Sequence, residues 1–310
     1  MDALKLDGLV AAAMTPMTES GEVNFDLIPG IVDHYLREGI VGAYILGSTG
    51  EGMSLTDEER IAVAEAFMKA IDGRIKTILQ VGHSSLQTSA VLAAHGEKLG
   101  VDAISATPPG YFKPSDEQGL VEGLSIMTEA APNTPFYYYH IPFLSGVTLD
   151  PMRLTEIALD RLPTFVGIKY SDGATLHNLP LLQKIDGRLE FMSGSDEAYL
   201  QCIAQGYKAA IGSTYGFAAP IYQEVVRAFE AGRFDEARMW QGRALEMIHH
   251  LFRCCGRGGL KEMMKLVDLD CGPVRRPLDP VTPEQSADLE RTMERIGWFE
   301  WIGSKRVVVA

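Results

Sequence analysis

Cysteine is scarce in this sequence. Four cysteines occur among 310 residues, at positions 202, 254, 255 and 271, and they are too few to form the disulfide framework of a small secreted protein. Cys254 and Cys255 are adjacent and no CxxC pair occurs, so the spacing argues against a zinc site. We therefore expect a reducing, cytoplasmic setting.

Long apolar runs and an excess of positive charge are also lacking. No run approaches the roughly 18 apolar residues of a membrane span, and the apolar stretch from Val10 to Met14 is too short for a signal sequence. Acidic residues outnumber basic ones by 41 to 28, which gives a net charge of −13. This balance argues against nucleic acid or an anionic membrane as a general partner, whereas a small anionic ligand needs only a few local donors.

Short apolar runs, each ending in small or polar residues, recur along the first two thirds of the chain. Their starts lie roughly 20 to 35 residues apart, the length of one strand and one crossover helix. The eight runs are Gly8–Thr15, Gly42–Gly47, Lys76–Gly82, Asp102–Thr107, Pro135–His140, Phe165–Lys169, Leu189–Gly194 and Ala209–Ser213. The pattern predicts eight parallel strands.

The segments between these runs have helical patterns. Thr56 and Glu59 have the spacing of a capping box at the start of one helix, and Gly39 and Gly100 follow two other helices as C-caps. These two helices are predicted over 25–38 and 89–99, and two more are predicted over 116–129 and 176–185. Eight alternating strands and helices favour a (β/α)8 TIM barrel over an open doubly wound sheet.

The pattern changes after the eighth run. Four helical segments follow without strands between them, at 220–231, 234–251, 260–267 and 283–296. We therefore predict a barrel over residues 1–220 and a C-terminal helical extension over residues 221–310, packed together as one structural unit.

Catalytic groups in such a barrel come from the C-terminal ends of the strands. The second run ends in Gly47-Ser-Thr-Gly50, whose backbone N–H groups and hydroxyls suit a phosphate or a carboxylate. The loop is neither a P-loop nor a dinucleotide fingerprint, and a simple strand-to-helix turn is the alternative.

Lys169 ends the sixth run, after wholly apolar residues. Its ammonium either reaches solvent or is held in a dry place, where its pKa falls and the amine becomes a nucleophile toward carbonyl carbon. Imine chemistry also needs a proton carrier, and Tyr137 to Tyr139 on the neighbouring strand supply phenols. The alternation of a strand points one face inward, which carries either Tyr138 or the pair Tyr137 and Tyr139. Core packing is the alternative role for these rings.

Asp196 and Glu197 follow the seventh strand. They are compatible with metal ligation, with a catalytic acid pair, or with a helix start favoured by the helix dipole, which is the commonest of the three. The histidines show no ligand spacing such as HExxH.

Three motifs in order resemble the pyruvate-dependent class I aldolases, the dihydrodipicolinate synthase and N-acetylneuraminate lyase superfamily. They are Gly47-Ser-Thr-Gly-Glu51, Tyr139 with Ile141-Pro142, and Gly167-Ile-Lys169. The resemblance extends from Leu6 to about Pro280. Within the superfamily the chain is most similar to the N-acetylneuraminate lyase branch, on the segments 137–146, 194–197, 212–215 and 259–261.

This resemblance implies a function and a set of roles. Lys169 would form an imine with pyruvate or with the keto group of N-acetylneuraminate, Tyr139 would relay protons, and Tyr111 would support Tyr139 across a subunit contact. Ser48 and Thr49 would hold the pyruvate carboxylate. The polyhydroxy tail of the sugar would bind at Ser171, Gly194, Asp196, Glu197 and Ser213. The implied reaction is reversible cleavage to N-acetylmannosamine and pyruvate, with no metal or cofactor, in a homotetramer.

The chain also departs from the superfamily pattern. Dihydrodipicolinate synthases carry an arginine where this chain has Leu144, the Pro108-Pro-Gly110 loop is unusual, and Tyr170 is unexpected at its position. Two other pyruvate-dependent functions stay open, a 2-keto-3-deoxy sugar acid aldolase and a dihydrodipicolinate synthase-like enzyme. A metal-dependent barrel hydrolase and a non-catalytic barrel that binds sialic acid are the alternatives from other classes.

Overall fold

The fold is a closed barrel of eight parallel strands. The structure is a computed structural model that describes residues 1–173 and 187–304. The strands pair in chain order, and β8 pairs with β1 to close the barrel. They are β1 Gly8–Ala12, β2 Gly42–Ile45, β3 Lys76–Gln80, β4 Ala103–Ala106, β5 Phe136–His140, β6 Phe165–Tyr170, β7 Glu190–Ser193 and β8 Ala209–Gly212. The TIM barrel and all eight predicted strands are confirmed.

Side chains of the strands alternate between the barrel interior and the layer beneath the helices. Tyr137 and Tyr139 lie in the interior cluster together with Tyr44, whereas Tyr138 lies in the outer cluster. Successive side chains of a strand point to opposite faces of the sheet. Tyr137 and Tyr139 therefore share the inner face of β5, and Tyr138 lies on the outer face. The core-packing role is therefore the correct one for Tyr138.

Helices surround the strands and extend beyond the eighth one. The described helices are α1 Ile28–Arg37, α2 Asp57–Ile71, α3 Leu86–Leu99, α4 Glu117–Ala130, α5 Pro142–Ser145, α6 Pro151–Arg161, α7 Tyr199–Ala204, α8 Tyr215–Glu230, α9 Phe234–Cys255, α10 Gly259–Leu266, α11 Pro283–Ile296 and α12 Trp298–Trp301. Across the described residues, none of them is long and apolar enough to span a membrane.

The predicted helix signals act as expected. The Glu59 N–H donates to the Thr56 hydroxyl at 3.2 Å and the Thr56 N–H donates to the Glu59 carboxylate at 2.9 Å, so the capping box is confirmed. Gly100 ends α3 with a φ of 73°, in the left-handed region that glycine adopts without strain. The start of α3 lies earlier than predicted, because Ser85 accepts a hydrogen bond from the Thr88 N–H and caps the helix there.

Four of the described α-helices were not predicted, and one prediction falls outside the described residues. The helices α5, α6, α7 and α12 lie in segments for which we predicted no element. The helix predicted over 176–185 lies outside the described residues.

The C-terminal helices pack against the barrel layer. Helix α9 lies along α8 and α11, and the Trp298 indole donates to the Met247 sulfur at 3.0 Å. The predicted boundary between residues 220 and 221 falls within α8, which is kinked at Ala218 and contains Pro220. The division into residues 1–220 and 221–310 stays a prediction.

Candidate active site

Lys169 lies inside the barrel near the end of β6. Its side chain is buried, and its Nζ lies 3.9 Å from the ring centre of Tyr44 and 4.0 Å from that of Tyr139. Desolvation lowers the pKa of Lys169, while Tyr139 and Asp196 act in the opposite direction. Because desolvation is the largest cause, the neutral, nucleophilic amine is favoured relative to a lysine in water.

The predicted anion loop lies in the same cavity as this amine. Ser48 and Thr49 line it together with Lys169. The Thr15 hydroxyl donates to the Gly50 carbonyl at 2.6 Å, and a Cβ at Gly50 would lie 2.8 Å from the Ala13 carbonyl oxygen. The loop therefore packs so closely on the strand beneath it that only glycine fits at position 50.

A buried ion pair holds the residue that follows this loop. Glu51 Oε1 lies 2.7 Å from Lys261 Nζ of α10, and Glu51 Oε2 accepts a hydrogen bond of 2.7 Å from the Arg275 backbone N–H. Lys261 Nζ also donates to the Pro273 carbonyl at 2.9 Å. Desolvation lowers the pKa of Lys261, and Glu51 opposes that shift. The C-terminal extension thus fixes the end of the anion loop.

All of the predicted sugar-binding residues lie on the opposite side of the same cavity, which has a volume of about 350 Å³. They are Ser171, Gly194, Asp196, Glu197 and Ser213. The Ser171 hydroxyl donates to the Gly194 carbonyl at 3.1 Å, which ties the loop after β6 to the loop after β7.

Asp196 is a buried carboxylate with fixed partners. Its Oδ2 accepts from the Thr214 N–H at 3.0 Å and from the Thr214 hydroxyl at 2.7 Å. Desolvation and the nearby Glu197 raise the pKa of Asp196 to about 6. Asp196 and Glu197 do begin a 3-10 turn, but the Asp196 carboxylate bonds to Thr214 and not to the backbone of its own turn.

Tyr111 lies apart from this cavity within the chain. Its side chain is 82 % exposed and packs edge-on against the Phe112 ring, with the ring centres 4.9 Å apart. Its predicted role runs across a subunit contact and stays a prediction.

Sequence reasoning missed four residues of the site. Tyr44 lies against Lys169, and its signal was a single aromatic residue in the strand before the anion loop. Thr214 positions Asp196, and no motif marked it as a partner of a carboxylate. Arg257 and Phe143, also not predicted, line the cavity and lie 5.9 Å apart, measured from the guanidinium carbon to the ring centre.

The structure also explains the unexpected Tyr170. Its ring stacks on His140 on the outer side of the barrel, with the ring centres 4.9 Å apart and the planes at 14°. The His140 Nε2 lies 3.8 Å from Asp172 Oδ2. The stacked rings of Tyr170 and His140 pack together on the outer side of the barrel, at the ends of β5 and β6. Tyr170 is therefore a packing residue next to the reactive lysine.

The combined geometry suits imine chemistry on a keto acid. A desolvated amine lies beside a phenol, an anion loop lies on one side, and carboxylates and hydroxyls lie on the other. Within the described residues, no three His, Cys, Asp or Glu side chains are grouped as a metal site would require.

Comparison with protein families gives a match over almost the whole chain. Residues 5–296 match the model of the dihydrodipicolinate synthetase family. The chain belongs to this family. Family membership agrees with the three motifs at residues 47–51, 139–142 and 167–169.

The chain is similar to proteins named N-acetylneuraminate lyase. It is 36 % identical to the one from Homo sapiens and 34 % identical to the one from Rattus norvegicus, in both cases over 306 residues that cover 97 % of this chain and 96 % of the relative.

Solved structures of N-acetylneuraminate lyases are also similar to this chain. The N-acetylneuraminate lyase (sialic acid aldolase) from Aliivibrio salmonicida has a TM-score of 0.92 at 34 % identity, covering 95 % of this chain and 98 % of that chain. The N-acetylneuraminate lyase from Proteus mirabilis has a TM-score of 0.91 at 34 % identity, covering 94 % and 99 %.

Proposed function

We propose that this protein is a class I aldolase, a carbon–carbon lyase that reversibly cleaves N-acetylneuraminate to N-acetylmannosamine and pyruvate. One observation carries the proposal: a desolvated Lys169 amine shares a cavity with an anion loop and with a buried carboxylate, Asp196. The similarity to proteins named N-acetylneuraminate lyase supports the choice of substrate.

The first step is imine formation. The neutral Lys169 amine attacks the keto carbon of the open-chain sugar acid, and a proton moves from the nitrogen to the keto oxygen to give the carbinolamine. The Tyr139 phenol then protonates the departing hydroxyl group, so that water leaves and the iminium and the Tyr139 phenolate form. The carboxylate next to the keto carbon lies on Ser48 and Thr49, whose hydroxyls and backbone N–H groups suit an anion. This contact orients the keto carbon toward the amine.

The second step is cleavage. The Tyr139 phenolate removes the proton from the hydroxyl on the carbon β to the imine carbon, the carbon–carbon bond breaks, and its electron pair passes into the iminium to give an enamine. The released aldehyde is N-acetylmannosamine. The Tyr139 phenol then returns a proton to the enamine carbon, and hydrolysis of the imine frees pyruvate and the Lys169 amine. Because the imine is the electron sink, no metal or cofactor is part of the proposal.

Selection of the sugar rests on the polar residues after β6, β7 and β8. Asp196 and Glu197 are hydrogen-bond acceptors for hydroxyl groups, and Ser171 and Ser213 both donate and accept. Leu144 stands where synthases of the family carry an arginine, so this chain offers no cation there for the carboxylate of a semialdehyde. A neutral, hydroxyl-rich aldehyde fits the site better.

The proposal also includes an oligomeric state and a cellular setting. We infer a homotetramer, in which Tyr111 reaches the neighbouring site, because the resemblance implies it and because Tyr111 is exposed on the single chain. Low cysteine usage supports a cytoplasmic setting.

Release of pyruvate from N-acetylneuraminate tests the function. We expect the purified protein to release pyruvate and N-acetylmannosamine in equal amounts, also in the presence of a chelator. Lys169→Ala should abolish release by at least about 1,000-fold without changing the circular dichroism spectrum. Absence of release, or full release by Lys169→Ala, would contradict the proposal, and a panel of 2-keto-3-deoxy acids would then identify another aldolase.

A further inference from the structure

Tyr44 provides a second aromatic face for the lysine nitrogen. The Lys169 Nζ lies 3.9 Å from the ring centre of Tyr44 and 4.0 Å from that of Tyr139. The two rings meet edge to face, with centres 5.6 Å apart and planes at 78°. The nitrogen therefore lies near the π-faces of two tyrosines, of which only Tyr139 was predicted from the sequence.

The ring of Tyr44 is held in a fixed position. Its side chain is fully buried, and its hydroxyl donates to the Ser105 hydroxyl at 3.1 Å. A Cβ at Gly47 would lie 2.6 Å from the Tyr44 ring, so the glycine that opens the anion loop leaves room for this ring. The orientation of the ring thus depends on both β4 and the anion loop.

The reaction needs a positive charge at this place. An iminium nitrogen in a dry barrel has lost its hydration, and a nearby carboxylate would stabilise it at the expense of its electron-withdrawing power. The negative face of an aromatic ring stabilises a cation without carrying a formal charge. The ionisable groups that act on Lys169 are Tyr139 and Asp196, and the Tyr44 ring adds a second aromatic face to that of Tyr139.

We propose that Tyr44 is a further catalytic residue, whose ring face stabilises the positively charged nitrogen of the Lys169 imine while its hydroxyl takes no part in proton transfer. The inference rests on the proposed aldolase function. It gives the two neighbouring tyrosines different roles: Tyr139 moves protons and contacts the charge, whereas Tyr44 only contacts the charge. The hydroxyl of Tyr44 donates to Ser105, and both residues are fully buried.

Stepwise fluorination of the ring tests this role without changing its shape. Position 44 is replaced by phenylalanine and by mono-, di- and trifluorophenylalanine, and the fraction of Lys169 trapped by pyruvate and cyanoborohydride is measured across pH. Tyr44→Phe should trap within about twofold of the wild type. At the alkaline end, where the resting amine is neutral and imine formation creates the charge, trifluorophenylalanine should reduce trapping by about tenfold.

The pH profile separates a charge effect from a packing effect. At the acid end the resting amine is already an ammonium, which contacts the same ring, so fluorination should leave trapping there unchanged. If fluorination reduced trapping equally at all pH values, a change in packing would be the cause and the inference would be overturned. Trapping that does not change along the fluorinated series would also overturn it. The same substitutions at Tyr138, the outward ring of β5, serve as the control and should have no effect.

The two proposals fail in different ways. If the wild-type protein does not trap pyruvate at Lys169, the proposed function fails. If the wild type traps pyruvate but the fluorinated series matches Tyr44→Phe at every pH, only the role of Tyr44 fails. Tyr44→Leu provides a second test: it should trap less than Tyr44→Phe at alkaline pH, and equal trapping by the two would also overturn the inference.

Discussion

Asp196 is expected to set the acid side of the activity profile. Desolvation and Glu197 raise its pKa to about 6, so its carboxylate is ionised above that pH and protonated below it. Since the ionised carboxylate is the stronger hydrogen-bond acceptor for sugar hydroxyls, kcat/KM for N-acetylneuraminate should fall as the pH decreases below about 6. Asp196→Asn should lower kcat/KM by about 10- to 100-fold at pH 8 and remove this acid limb.

A matched variant makes that prediction specific. Asp235→Asn changes a carboxylate that is 98 % exposed at the start of α9 and should keep the wild-type profile. An acid limb that survives in Asp196→Asn would contradict the assignment and would place the titrating group elsewhere in the cavity.

Individual residues were predictable where a motif marks them. Lys169 and the Ser48-Thr49 pair stand at strand ends in recognisable sequence patterns, and the structure places them in one cavity. The contacts of Tyr44 with Lys169 and of Thr214 with Asp196 were not predictable. Both depend on how strands that are distant in sequence align around the barrel, and no local pattern encodes that alignment.

At the scale of elements, the buried ion pair between the anion loop and α10 should dominate local stability. Lys261 and Glu51 are 3 % and 2 % exposed, so removal of one partner leaves an uncompensated buried charge. Lys261→Met should reduce the free energy of unfolding by about 3–5 kcal/mol. Urea denaturation measures this loss, with one slope of the free energy of unfolding against urea concentration fitted to all variants.

Two further variants complete this test. The double variant Glu51→Gln with Lys261→Met removes both charges and should recover most of the lost stability. Lys265→Met, in the same helix but 54 % exposed, should be close to the wild type. A double variant as unstable as Lys261→Met would show that packing around the pair, and not the unpaired charge, causes the loss.

The missed helix α6 shows why some elements were overlooked. Asp150 caps it through a hydrogen bond from the Met152 N–H at 2.9 Å, and Pro151 occupies its first position, so a start signal was present. Leu154 and Ala158 are buried at helical spacing, but polar residues surround them and weaken the periodic pattern. Packing against α4 stabilises the helix further, and this contact cannot be read from the sequence of the segment itself.

The whole molecule combines a predictable barrel with a less predictable extension. The number of strands was sufficient to predict closure, because eight alternating strand and helix units are typical of this architecture. The attachment of the extension was not predictable. Arg275, which contacts Glu59 and the Glu51 carboxylate, lies more than two hundred residues from either one in sequence.

Assembly is the prediction that belongs to this scale. Light scattering coupled to size exclusion should give about four times the chain mass of 33.9 kDa. Phe112 is 84 % exposed beside Tyr111 at the mouth of the barrel, and Phe112→Asp should reduce the mass and the activity together. Phe234→Asp, at an exposed position of α9, is the control and should stay tetrameric. A fully active wild-type monomer would contradict the assembly and the role of Tyr111.

The most direct test of the central claim is a chemical trap with the sugar itself. The protein is incubated with N-acetylneuraminate and borohydride, and the modified lysine is identified by peptide mass spectrometry. We expect a reduced pyruvyl adduct on Lys169, because cleavage of the sugar through an imine at that residue leaves pyruvate bound to the amine. Turnover without an adduct, or an adduct on another lysine, would contradict the account.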